Sequence, residues 1–209
     1  MKFINIIIFS LFFCILPAQA DDDTMQLKNY IDGLISEGYS IVNDPNLASE
    51  AKFNKSRELI RANLHLDWMA KYSLGRNKKT ISPAQLQEFV EVYSQFVVNA
   101  YADLSRHYNG EKAVVKKVKK IDDRMFIINM EIVKTDSASP IKVDYLIHKL
   151  DNEVAHPYKV ADIITEGVSI LNSQQSEFNS VISSQGIEAL VADLKAKIAR
   201  KEQKEKQGA

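Results

Sequence analysis

Apolar residues recur along this chain first at helical spacing, then at strand spacing, then at helical spacing again. From Met25 onward, Leu27, Ile31, Leu34, Ile35, Tyr39 and Val42 trace one stripe three and four residues apart. That spacing predicts an amphipathic helix, after a frayed start over Asp21 to Thr24. Asn43-Asp44-Pro45 stops it, with Asp44 suited to cap and Pro45 to open a second helix. This second helix runs from about Asn46 into the sixties and carries Leu47, Phe53, Leu59, Ile60 and Leu64. Leu66 to Gly75 continues the helical pattern, and Arg76 to Lys79 is a basic loop. Ser82-Pro83-Ala84-Gln85 is the clearest local signal, because serine caps, proline takes the first helical position and Gln85 completes a capping box. The helix it opens is aromatic, with Phe89, Tyr93, Phe96, Val97, Tyr101 and Tyr108 on its stripe, and Asn109-Gly110 closes it.

The period then changes to two. Lys112 to Ile121, Met125 to Lys134, Ile141 to Leu150 and Tyr158 to Thr165 read as four strands. Asp122-Asp123 and Ser137-Ala138-Ser139-Pro140 are turn-type breaks between them. Val143, Tyr145 and Ile147 share a face of the third strand. In the fourth, Tyr158, Val160, Asp162 and Ile164 alternate with a second, largely apolar row, so both faces should be covered. Glu166-Gly167 breaks this strand, and from Val168 a helix carrying Leu171, Gln175 and Phe178 folds back over the sheet. A last helix runs from Ile187 and passes into a charged tail from about Lys195. Helices, four strands, helices: this order predicts an α+β domain, a curved antiparallel sheet with helices packed on its inner face.

The beginning of the chain changes that picture only by what it removes. Lys2, the uncharged apolar run Phe3 to Leu16, and Pro17-Ala18-Gln19-Ala20 fit a cleaved secretory signal over residues 1–20. The run is shorter than the ~20 residues a membrane span needs. Residues 21–209 then form one domain, exported and soluble. Cys14 leaves with the signal, so the mature chain has neither a disulfide nor a thiol for catalysis or metal binding. Without Lys2, the 27 basic residues become 26 against 27 acidic ones. That balance argues against a nucleic-acid partner.

Candidate chemistry is sparse. His65, His107, His148 and His156 stand without an HExxH motif or a pair on one helix face, so no metal site is expected. Glu166-Gly167-Val168-Ser169 lacks the second glycine of a nucleophile elbow. Asp162 is the one acid expected deep in the sheet, where it could serve as a general base or hold the strand end through hydrogen bonds. Trp68-Met69, the Phe89 to Tyr108 stripe, the Val143-Tyr145-Ile147 face and the Ile163–Val168 corner should point at one interior. Large side chains there can fill a core or wall a cavity, and the pattern alone does not separate the two.

Four stretches taken together resemble one family. They are Leu66 to Arg76 (LDWMAKYSLGR), Ser82-Pro83-x-Gln85-x-x-x-Phe89, Lys142-Val143-Asp144-Tyr145, and Tyr158-Lys159-Val160-x-Asp162-Ile163-x-x-Glu166-Gly167-Val168-Ser169. In order and spacing they are similar to the MlaC family of periplasmic phospholipid-binding proteins, also called toluene-tolerance auxiliary proteins, from about residue 25 to 200. The resemblance implies a non-enzymatic, cofactor-free carrier. Such a carrier moves phospholipid between an outer-membrane lipoprotein complex and an inner-membrane ABC transporter with an MCE-domain ring, maintaining outer-membrane asymmetry. It also implies a cone similar to nuclear transport factor, with acyl chains in an apolar pocket. The implied lining is Trp68, Met69, Phe89, Tyr93, Phe96, Val97, Tyr101, Val143, Tyr145, Ile147, Ile163, Gly167, Val168, Ser169 and Leu171. One departure stands out: Gln174 and Gln175 occupy places where the family usually has an aromatic residue and an arginine.

The physics of such a cargo is demanding. Two acyl tails hold about thirty methylenes, and exposing them costs ~0.8 kcal/mol each, on the order of 20 kcal/mol together. A soluble carrier must hide them almost completely, in a pocket near the upper end of the usual ~300–1,000 Å³. Two other functions fit the same residues: a small-molecule enzyme of the isomerase kind using Asp162 and Tyr145, and a secreted adaptor that binds another protein.

Overall fold

Residues 20–134 and 139–207 are described in a computed structural model. Residues 1–19 of the expected signal segment, Cys14 among them, and residues 137 and 138 of the second turn lie outside the described residues. The elements run α1 (Ala20–Asn43), α2 (Ser49–Asn63), α3 (Leu66–Ser73), α4 (Pro83–Ala102), β1 (Lys112–Lys120), β2 (Met125–Val133), β3 (Ile141–Lys149), β4 (Tyr158–Thr165), β5 (Val168–Ser169), α5 (Ile170–Gln185) and α6 (Ile187–Gln207). Short 3₁₀ turns at Gly75–Lys79 and Asp103–Arg106 follow α3 and α4.

The sheet is antiparallel throughout, in the order β1-β2-β3-β4-β5. Its cross-strand rows are Phe126–Ile147–Val160, Ile128–Tyr145–Ile163 and Met130–Val143–Thr165, all on one face. Two irregularities break the ladder: register shifts at Val115/Lys117 on β1, and at Leu146/Ile147 opposite β4. The second leaves Ala161 as an extra residue, since Ile147 pairs with Val160 and Leu146 with Asp162. Such bulges bend a strand and raise its twist, which curves the sheet. This one also corrects the simple alternation expected for β4. Tyr158 and Val160 share the face of Ile147, whereas Asp162 and Ile164 take the face of Leu146 and Asp144.

Two apolar clusters form the interior. In one, Leu27 and Ile31 of α1 pack on Phe126, Ile128, Met130, Ile147 and Tyr158. Helix α1 follows β1: Asp23 at one end binds Lys120 and Lys149 (2.9 and 2.8 Å), and the Tyr39 hydroxyl near the other accepts from the Ala113 amide. Those two lysines hold the Asp23 carboxyl below its ordinary range, so the expected frayed start is instead pinned to the sheet. The second cluster is helical, with α4 packed chiefly on α6, α2 and α3, and Leu171 and Phe178 of α5 against them. Leu194 and Ile198 belong to it, so the charged end of the chain starts as part of the fold.

Three boundaries differ from the sequence expectation, each for a local reason. Asp44 does not cap α2; its carboxylate accepts from the Asn46 amide in a turn, and the helix starts at Ser49. Helix α4 ends at Ala102, where the chain tightens into the 3₁₀ turn and leaves Leu104 exposed. Val168 belongs to β5 and not to α5; Thr165 pairs with Val168 across Glu166-Gly167, both with positive φ (49° and 81°), the geometry of a two-residue hairpin. The capping box of α4 forms as expected, with both Ser82–Gln85 hydrogen bonds present.

Candidate functional site

The interior surface between the two clusters starts from β3. Its face carries Val143, Tyr145 and Ile147. Exposure changes along the face. Phe126, Ile128 and Ile147, towards the α1 N-terminus, are sealed at 0%, whereas Met130, Val143 and Ile163 retain 6–9%. Tyr145 keeps more still, although burial alone pushes its phenol pKa up.

Tyr101, at the end of α4, is the counterpart. It also lies deep yet part-exposed; burial raises its pKa, and the nearby Tyr145 and Asp162 raise it further. Among the described residues neither hydroxyl has a hydrogen-bond partner, and neither oxygen is sealed from water. Val160 packs against both clusters.

The sequence-predicted lining divides. Val143, Tyr145 and Ile163 share one face of the sheet, and Tyr101 and Phe96 on α4 each retain part of their surface. Phe89, Tyr93, Val97 and Met69 sit instead in the helical core, where Phe178 stands edge-on to both Phe89 and Tyr93 and the three centroids lie 5.7–6.2 Å apart. The Tyr93 hydroxyl donates to Gln174 at 2.8 Å, and Gln175 donates to the Tyr72 carbonyl at 2.6 Å. The two glutamines thus tie α5 to α4 and α3. Ile147 is sealed in the α1 cluster.

Trp68 lies elsewhere, stacked on Tyr72 at 5.0 Å and edge-on to His148 at 4.7 Å. His148 and His65 approach through their Nδ1 atoms at 3.0 Å, and burial chiefly lowers both imidazole pKa values. Their spacing of 83 residues gave no sign that the Leu64–Val160 bridge would bring them together.

The Glu166–Leu171 corner is built by Asp162. Its carboxylate accepts from the Ser169 hydroxyl (2.6 Å) and from the amides of Ile163 and Leu171 (2.8 and 3.1 Å). Ser169 in turn caps α5 by accepting from the Asn172 amide. Acid and serine are both engaged in seating α5 on β4. Leu171 is buried at this seat, Val168 is 61% exposed, and Gly167 supplies the left-handed turn.

Fold and site define a class: an α+β domain in which a bulged antiparallel sheet packs with a helical layer around two apolar clusters. Residues 33–196 match the family model described as MlaC protein, and the chain belongs to that family. A curated relative from Haemophilus influenzae, the intermembrane phospholipid transport system binding protein MlaC, is 24% identical over 146 residues, covering 68% of this chain and 67% of its own. Among solved structures, a phospholipid-binding protein from Ralstonia solanacearum, determined with a bound phospholipid, shares the fold with a TM-score of 0.68 at 20% identity. That match covers 85% of this chain and 97% of the other.

Proposed function

We propose that this protein is a periplasmic phospholipid carrier, which takes lipid from one membrane's transport complex and delivers it to another's. Its partners are an outer-membrane lipoprotein complex and an inner-membrane ABC transporter with an MCE-domain ring. The observation that carries this is the largely apolar Met130–Val143–Tyr145–Ile163 face of the sheet, on which Tyr145 keeps part of its surface exposed. Acyl chains are the ligand such a surface suits, because an apolar wall replaces water at ~25 cal/mol per Å² without demanding fixed polar partners. The proposed lining is Phe96, Tyr101, Val143, Tyr145 and Ile163, with Gly167, Val168 and Ser169 as the rim.

Family membership and the names of the two relatives support the same cargo. Among the described residues, no helix is long and apolar enough to cross a membrane, consistent with a protein that travels. The engagement of both Asp162 oxygens as a helix seat weighs against the isomerase alternative. The test is uptake: protein incubated with vesicles of fluorescent phosphatidylglycerol and separated by gel filtration should carry label in a saturable, near one-to-one ratio. Label that stays wholly with the vesicles would refute the function.

A further inference from the structure

Charge on this chain balances overall, at 27 basic against 27 acidic residues, so a cluster of one sign without its counterpart is informative. Several exposed cations stand beside an acid, as Lys71 does beside Asp67 (2.7 Å) and Lys195 beside Glu88 (2.6 Å). The 3₁₀ turn Gly75–Lys79 is different. It exposes Arg76, Lys78 and Lys79, and among the described residues none of the three has an acidic partner. The turn itself is fixed. Leu74 anchors it in the core, the Asn77 amide donates to the Leu74 carbonyl at 3.1 Å, and the Asn77 side chain donates to Asn179 of α5 at 2.6 Å.

Exposed apolar surface adjoins these cations along α5. The Gln175 side chain donates to the Tyr72 carbonyl, and the Tyr72 hydroxyl donates to Asn172 at 3.0 Å. The stretch from Tyr72 to Asn77 thus follows α5 from Asn172 to Asn179, about 10 Å of helix. Tyr72 is 39% exposed, its ring stacked on Trp68. Asn172 lies in the first turn of α5, whose cap Ser169 directly follows the exposed Val168 of the β4–β5 hairpin. We infer that this edge, with Val168 and Tyr72 at one end and the Arg76, Lys78 and Lys79 turn at the other, is a docking surface for an anionic phospholipid bilayer.

The side-chain chemistry selects a bilayer over a set of placed carboxylates. Cations on flexible stems without a fixed partner suit a sheet of mobile phosphates, and each one adds to the attraction of an anionic surface. Tyrosine and tryptophan favour the membrane–water boundary, where ring and polar tip meet different surroundings. Val168 at a hairpin tip adds a small apolar wedge. Three cations with little apolar area give reversible binding, and a carrier has to leave again. Docking there goes beyond the proposed carrier function, for it concerns where the protein meets a membrane and not what it carries.

The experiment is flotation of the protein with mixed phosphatidylglycerol–phosphatidylcholine vesicles and with phosphatidylcholine vesicles alone, at low and at high salt. The wild type should favour the anionic vesicles by roughly tenfold or more at low salt, and lose the preference at high salt. The variant Arg76→Gln/Lys78→Gln/Lys79→Gln should lose most of it at an unchanged melting temperature. The variant Lys112→Gln/Lys117→Gln/Lys119→Gln removes the same charge from exposed positions of β1 that have no ion pair among the described residues, and should keep it. Equal losses in the two variants reduce the effect to net charge and overturn the docking surface. A wild type indifferent to anionic lipid overturns it too, and leaves the turn to an acidic protein partner. Neither result touches the carrier function, because lipid carried off by the protein is scored separately after gel filtration. Anionic binding that follows the three cations, with no lipid carried off, overturns the carrier function and leaves the docking surface standing.

Discussion

Asp162 concentrates more hydrogen bonds than any other acid in the interior, and all of them hold structure. Replacing it with alanine leaves the Ser169 hydroxyl and two amides without their acceptor at the one place where β4 turns into α5. The expected loss of stability is roughly 2–4 kcal/mol by urea unfolding, since bonds to a charged group run at ~1.5–3 kcal/mol each and overlap here. Asp162→Asn should recover part of it, and an unchanged midpoint in the alanine variant would contradict the cap. Gly167 gives a gentler test. A Cβ there meets nothing within 4 Å, so only the left-handed backbone matters, and Gly167→Ala should cost ~1 kcal/mol. The sequence displayed both residues plainly, because a lone acid in a strand and a glycine after it are local signals. It did not display that Tyr145 and Tyr101 would each keep an unpartnered hydroxyl among the described residues. They are 44 residues apart in the chain, and only the closure of the fold shows that neither hydroxyl has a partner.

Elements were legible wherever their stop signals are local. The four long strands end within a residue of their expected bounds, set by turn residues such as Asp122, whose carboxylate accepts from the Arg124 and Met125 amides. The α4 start was legible because a capping box is complete in four residues. What escaped depends on partners far away. The Ala161 bulge exists only relative to the β3 register, and the end of α4 at Ala102 is secured by Asp103, which binds Lys201 of α6 at 3.0 Å. The contact of α3 with β3 is of the same kind, and it gives the molecule a pH dependence. His65 and His148 both titrate below their ordinary value, with burial first among the causes. Nearby Asp67 and Glu153 oppose the shift at His65 and Asp122 at His148, while Lys159 and the His65–His148 contact add to it. As pH falls below about 6.5, the unfolded chain therefore binds protons before the folded one does, and stability declines. Urea unfolding at pH 7.5 and 5.5 should show this decline in the wild type and a smaller one in His148→Gln. Parallel losses in the two proteins would contradict it.

For the whole molecule, the consequential feature is that its two apolar clusters do not merge. Helix α1 seals one half of the sheet face and α4 packs among helices, with Val160 packed against both clusters. The expectation of one cavity lined by the entire aromatic stripe of α4 assigned too much to it, because a helical period cannot show which part of a stripe meets other helices and which meets the sheet. Phe89, Tyr93 and Val97 met helices.

Native mass spectrometry of protein gently purified from the periplasm tests the carrier account most directly. The account predicts a dominant species heavier than the mature chain by one diacyl phospholipid, released on denaturation and identifiable in the extract. A population at the bare chain mass, with no lipid in the extract, would contradict it.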